Sequence, residues 1–319
     1  FLQTDWRTAK RSRVLTDLGL SGFSMGLAIA SKWIGIYAGA GLAVLFFWHG
    51  FRVCRQDERE RRAGAASPES SPGESALRIY LGYCLWCILF FIAVPAGIYL
   101  VSYLPYFAYR HFTHIGDYLQ AVLNSQQGML NYHSTPGLGM DHPFYSPWYE
   151  WPIIGKPMFY STKQYIYNDE LSFSIFCFGN PVIWWAGIPA MITAAWMWIR
   201  NREESIPAQA VGQGSVFSTL DTNLVFLLIG FLAQYLPWTL VPRGTYIYHY
   251  FASVPFLIIA ITLGAEQLLA KHSRTGKVFI TVFLALAFAA FILFFPYVTG
   301  ILAPVSWLDA GKLFLHIWY

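Results

Sequence analysis

The chain has 319 residues, of which 56% are hydrophobic, 18% aromatic and 12% charged, with a formal net charge of +4. A soluble domain carries about 25% charged residues, so this composition excludes an ordinary soluble fold. It also argues against a nucleic-acid binder, because the basic residues sit beside long apolar runs instead of gathering in one patch.

In chain order, residues 1–13 are polar and carry Arg7, Lys10, Arg11 and Arg13. They lack the apolar core of a signal peptide and read as a cytoplasmic loop. The sequence opens on Phe1 and not on methionine, and is read as a fragment of a longer protein. Residues 14–51 form one apolar region of about 57 Å if helical, roughly two bilayer thicknesses. Arg52, Arg55, Arg59, Arg61 and Arg62 follow it, so basic clusters flank both ends and the positive-inside rule puts both ends in the cytoplasm. The region must therefore be a transmembrane hairpin, with its tip near Ser31, Lys32, Trp33, Ile34 and Gly35. Residues 52–77, with QDERERR and a Ser/Pro/Gly-rich stretch, predict a flexible cytoplasmic linker.

Five more apolar spans are expected at 78–101, 176–199, 220–240, 250–270 and 278–297, giving about seven. The predicted topology leaves Lys32, Arg110, Lys156, Lys163, Arg243 and Lys312 outside and the other 15 of the 21 Lys and Arg inside. Residues 78–319 read as one C-terminal transmembrane domain. Asn180 and Pro181 suit the N-cap and first position of a helix. Cys84 and Cys87 lie in an apolar run, and with Cys54 and Cys177 they read as small apolar residues with no disulfide framework.

The long outer segment, 102–175, holds ten of the 20 tyrosines, four of the eight histidines, Trp148, Trp151 and the acids Asp117, Asp141, Glu150, Asp169 and Glu170. A loop of that length is uncommon unless functional. Within it, Asp117 to Leu130 places Leu119, Val122, Leu123 and Leu130 at near-helical spacing, as in an interfacial helix. His133, His142, Trp148 and Glu150 offer the aromatic faces and hydrogen-bonding groups that a sugar site needs. His133, Asp141 and His142 lack the spacing of a zinc site, and no metal is expected.

A second outer feature is Pro242-Arg243-Gly244-Thr245-Tyr246-Ile247-Tyr248-His249-Tyr250. An arginine in an aromatic turn at the membrane needs a partner. A lipid headgroup, a carboxylate or the phosphate of a lipid-linked substrate would each serve, and Lys32 is a second cation for that phosphate or a snorkelling side chain. His249 belongs to the same candidate set.

Gly26 to Tyr37 (GLAIASKWIGIY), Tyr132-His133 to His142-Pro143 to Trp151-Pro152, Gly179-Asn180-Pro181 with Trp184-Trp185, and Pro242-Arg243 to Tyr250 together resemble the protein O-mannosyltransferase family. The likeness runs over nearly the whole chain and is closest to bacterial members, the phospholipid carrier-dependent glycosyltransferases. It implies an all-α integral membrane protein, a polytopic helical bundle of the GT-C type. The implied activity moves mannose from polyprenyl phosphate mannose to Ser or Thr hydroxyls of proteins on the extracytoplasmic face, with no cofactor, metal or nucleotide sugar. The implied partners are that donor, the protein acceptor and membrane lipids, with no nucleic acid, and the implied location is a bacterial plasma membrane.

In that family the general base comes from an Asp and Glu pair in a first outer loop, expected upstream of Phe1, so no catalytic residue is assigned here. The stretch alone is expected to be inactive, and Glu150 is the one acid worth testing as a base. The 74 residues of the outer segment leave no room for the MIR insertion of eukaryotic members. A sugar transferase with a glycan or lipid acceptor is the nearest alternative. A transporter would need charges buried within the spans, whereas the clear charges lie at span ends or tips.

Overall fold

The computed structural model describes residues 2, 4–62, 75–110, 114–167, 171–204 and 219–315. Among them, seven helical segments are long and apolar enough to cross a membrane: Arg11–Ser31, Gly35–Arg62, Ala76–Tyr106, Pro181–Arg200, Asp221–Leu240, Ile247–Lys271 and Ser273–Thr299. The expected polytopic bundle of seven spans is therefore present. The chain divides into two compact units, residues 1–130 with 198–234 and residues 131–197 with 235–319.

In the first unit, α1 (Arg11–Ser31) and α2 (Gly35–Arg62) form the N-terminal hairpin, and the backbone breaks at Lys32 to Ile34. The expected linker at 52–77 is in part this second helix, which continues to Arg62. Its charge run is stitched between successive turns, with Arg61 Nε donating to Asp57 at 2.9 Å, Gln56 to Glu60 at 2.7 Å, and Arg62 paired with Glu58. Alternating charges four residues apart support a helix as readily as they solvate a coil. Arg7 adds a tertiary tie, with Asp5 at 2.8 Å and Glu60 at 2.6 Å, and the Asp5 hydrogen bond raises its pKa. The remainder of the linker, 63–74, lies outside the described residues. Beneath these ion pairs Trp6 is buried with Val14, Leu18, Phe46 and Tyr83.

The third span is α3 (Ala76–Ile88), a π-helical turn at Leu89–Ala93, α4 (Val94–Ser102) and the start of α5 (Leu104–Arg110). The π turn sits just before Pro95, which has no N–H for the carbonyl one turn back, and the wider turn absorbs that mismatch. The irregular stretch is where α1 comes closest. A β-carbon added at Gly22 would lie 2.0 Å from the Phe90 carbonyl oxygen, and one at Gly26 would lie 3.0 Å from Pro95 Cα. Small residues a turn apart let two membrane helices approach backbone to backbone.

Helix α6 (Ile115–Ser134) begins in the first unit and covers the sequence predicted as an interfacial helix. Gln126 is held there by the Tyr99 hydroxyl, which donates to it at 2.6 Å, and by its own donation to Tyr103 at 2.9 Å. Ile115, Leu119, Leu123 and Leu130 remain exposed along α6.

The second unit contains a three-stranded antiparallel sheet in the order β1 (Met158–Tyr167), β2 (Leu171–Cys177), β3 (Ala303–Pro304). Met158 pairs with Cys177, Thr162 with Ser174, and Leu171 with Pro304. This corrects the span expected at 176–199, since Phe176 and Cys177 belong to β2 and the helix starts only at Pro181. Asn180 caps α7 (Pro181–Glu204), its Oδ1 accepting from the Val182 N–H at 3.0 Å, while its Nδ2 donates to the Ala287 carbonyl at 2.8 Å. Beyond α8 (Thr219–Tyr235) come 3-10 turns at Leu236–Leu240 and Ile247–Ser253, then α9 (Val254–Lys271), α10 (Ser273–Thr299) and α11 (Val305–Leu315). All four cysteines are free thiols.

Candidate functional site

Two loops of the second unit, residues 135–157 and 236–253, are laced together by backbone hydrogen bonds. Gly137 donates to the Pro242 carbonyl at 2.9 Å, Gly244 to Leu138 at 2.8 Å, and Ser146 to Thr245 at 3.0 Å. Gly137 and Gly139 make this possible by adopting φ of +75° and +77°, a region that residues with a β-carbon rarely enter. The Thr245 hydroxyl donates to the Ser146 carbonyl at 2.9 Å, and Trp151 Nε1 donates to the same carbonyl at 3.1 Å. The turn that follows holds fully buried Ile154 at φ +58°, a strained conformation for a β-branched side chain and one the surrounding packing must enforce.

Arg243 projects from this lacing and is only 6% exposed. Its Nε donates to His133 Nδ1 at 2.9 Å, its Nη1 to the Gly244 carbonyl at 2.7 Å, and its guanidinium carbon lies 5.3 Å from the Tyr132 ring centre. A guanidinium has five N–H donors, and these two bonds leave three of them at the end of the fork. Among the described residues no carboxylate stands within ion-pair distance of Arg243. A buried cation without a counter-charge is costly.

The other candidates fall into three settings. His142 is exposed, its ring edge-on to Tyr246 at 5.3 Å and its Nδ1 accepting from the Phe144 N–H at 3.1 Å. Trp148 and Glu150 share a 3-10 turn, with the Trp148 ring 5.7 Å from that of Tyr235 and the Trp148 carbonyl accepting from the Tyr235 hydroxyl at 3.0 Å. His249 is 2% exposed and lies among Trp238, Tyr248 and Trp151, with ring centres at 4.0, 4.2 and 5.8 Å. Its Nδ1 meets the Tyr246 backbone, so the structure makes it a core histidine beneath the site. Lys32 is exposed and belongs to the first unit, where it ends α1.

Sequence reasoning missed Tyr246, which joins the two loops through its contact with His142. Burial pushes its phenol up, Tyr132 adds to the effect and Arg243 opposes it, so it stays a neutral hydrogen-bonding group. Tyr145, near Glu150, is likewise raised by burial first. Among the described residues no group of three His, Cys, Asp or Glu side chains is placed to hold a metal ion. A cavity of about 460 Å³ lies between β2, α7, α9 and α10, lined largely by apolar groups that include Phe176, Trp184, Phe251, Ile258 and Phe294.

Seven helices of membrane-crossing length and composition define a polytopic helical membrane protein. Residues 118–316 match the family model described as the C-terminal four TMM region of protein-O-mannosyltransferase, and the chain belongs to that family. It is 26% identical over 315 residues to the polyprenol-phosphate-mannose–protein mannosyltransferase of Corynebacterium glutamicum, covering 89% of this chain and 54% of that protein. To the protein of the same name from Mycolicibacterium smegmatis it is 25% identical over 318 residues, covering 90% and 54%. The chain thus spans about half the length of the curated relatives it matches. The Saccharomyces cerevisiae protein O-mannosyltransferase Pmt1-Pmt2 complex bound to the sugar donor aligns at 19% identity and a TM-score of 0.43, over 56% of this chain and 24% of that one.

Proposed function

We propose that this protein transfers mannose from polyprenyl phosphate mannose to Ser or Thr hydroxyls of proteins, on the extracytoplasmic face of a bacterial plasma membrane. Family membership and the names of the two bacterial relatives support the donor and the acceptor. The single observation within the chain that carries the reading is Arg243, nearly buried and without a carboxylate partner among the described residues. As the bond from mannose to phosphate breaks, negative charge develops on the departing lipid phosphate, and a prepositioned guanidinium stabilises it through paired, charge-assisted hydrogen bonds. His142, Trp148 and Glu150 would form walls of the sugar or acceptor pocket. The cavity behind β2 has the lining and size for part of an isoprenoid tail.

The test is transfer of radiolabelled mannose from polyprenyl phosphate mannose to a peptide acceptor by the full-length protein in proteoliposomes. Arg243→Ala is expected to cut transfer by about a hundredfold or more, while membrane insertion and amount stay unchanged. Arg243→Lys is expected to fall between, because an ammonium lacks the planar fork. Wild-type transfer by Arg243→Ala would overturn the assignment.

A further inference from the structure

We propose that His133 is the positioning residue of the site, holding the Arg243 guanidinium in its anion-receptive orientation through the unprotonated Nδ1 of its ring. The inference rests on the reading of Arg243 as the phosphate ligand. A guanidinium can only donate, so at 2.9 Å from Arg243 Nε the His133 Nδ1 must accept. That fixes the neutral tautomer with its proton on Nε2. With Nε tied to His133 and Nη1 to the Gly244 carbonyl, the side chain is gripped at two of its nitrogens, and the end of the fork is left to point at a ligand. Tyr132, the neighbour of His133 on α6, covers the guanidinium with its ring at 5.3 Å. One helix end therefore supplies both the in-plane acceptor and the stacking face for an arginine 110 residues away in sequence.

Protonation of Nδ1 would exchange the acceptor for a donor and set a second cation against the first. Among the described residues, the charged and titratable groups that act on Tyr246 and Tyr248 beside the pair are Arg243, Tyr132, Asp141 and Cys177. Donor affinity is therefore expected to fall on acidification, as the ring takes up a second proton.

The experiment measures kcat and the KM for polyprenyl phosphate mannose between pH 5 and 8, using full-length wild type, His133→Leu, His133→Asn and Arg243→Ala in proteoliposomes. His133→Leu is expected to raise the donor KM about tenfold at pH 7.5 with a much smaller change in kcat, since a hydrogen bond to a charged group is lost. His133→Asn places an amide oxygen near the Nδ1 position and does not titrate. It is expected to restore most of the affinity and to abolish the rise in KM on the acid side. Wild-type KM and acid limb in His133→Leu, or an acid limb surviving in His133→Asn, would overturn the inference. If Arg243→Ala is inactive in the same series, the phosphate reading stands without it; if Arg243→Ala is active, the phosphate reading fails first.

Discussion

Gly244 faces the carbonyl of Gly139 so closely that a β-carbon on Gly244 would lie 2.3 Å from that oxygen. The contact sits beside Arg243, and the Gly244 carbonyl is itself one of the two acceptors that grip the arginine. Gly244→Ala must push the two loops apart, at a cost of about 1–3 kcal/mol for an overpacked contact. The expected outcome is a donor KM raised by about tenfold or more with the bundle intact, read from kinetics alongside a thermal melt in detergent. A variant with unchanged KM would show that the lacing of 137–146 to 242–245 does not set the arginine.

Asn180 performs two tasks, capping α7 through Oδ1 and bonding the Ala287 carbonyl of α10 through Nδ2. Asn180→Asp keeps an N-cap acceptor but loses the donor to Ala287, while Asn180→Ala loses both. The expected order of stability is wild type, then Asp, then Ala, with the alanine variant lower by about 1–2 kcal/mol. Fluorescence-monitored unfolding in detergent measures this. Equal losses for Asp and Ala would mean that the bond to α10, and not the cap, carries the effect.

Glu150 lies one residue from Trp151, and its own carbonyl is occupied by the Gly155 N–H at 2.8 Å. Glu150→Gln preserves shape and removes the base. Transfer is expected to stay within about tenfold of wild type, because a general base contributes roughly 10²–10⁴. A loss of a hundredfold or more, with an acid limb removed from the pH profile of kcat, would instead make Glu150 the group that takes the acceptor proton.

Much of the fold was legible because the bilayer imposes length. Apolar runs of 18 or more residues and the basic residues beside them located the spans, and the single charge at Lys32 marked the break between α1 and α2. The tail of α2 was misread because QDERERR has no apolar period, and only the pairing of charges one turn apart reveals it as helix. The β-hairpin went unread although Leu171, Phe173 and Ile175 alternate with Ser172 and Ser174, a strand signal inside a segment judged by its length and its aromatic and polar content. Arg243 stood out by the cost of its charge. His133 is legible as a candidate for the sugar site but not as the partner of Arg243, because no local pattern reports a contact across 110 residues, and nothing in the sequence separates a buried His249 from an exposed His142.

The short pairing of β2 with β3 carries a constraint of parity. Leu171 and Ser172 bond to Pro304 and Ala303, so both ends of the intervening chain lie on one side of any membrane it crosses. Between them run the spans Pro181–Arg200, Asp221–Leu240, Ile247–Lys271 and Ser273–Thr299, four traverses and hence an even number. Two of these helices precede Arg243, again an even number, so a crossing by each returns the chain to the side of the sheet. One ladder of two residue pairs thus ties the end of the fourth helix back to the start of the first.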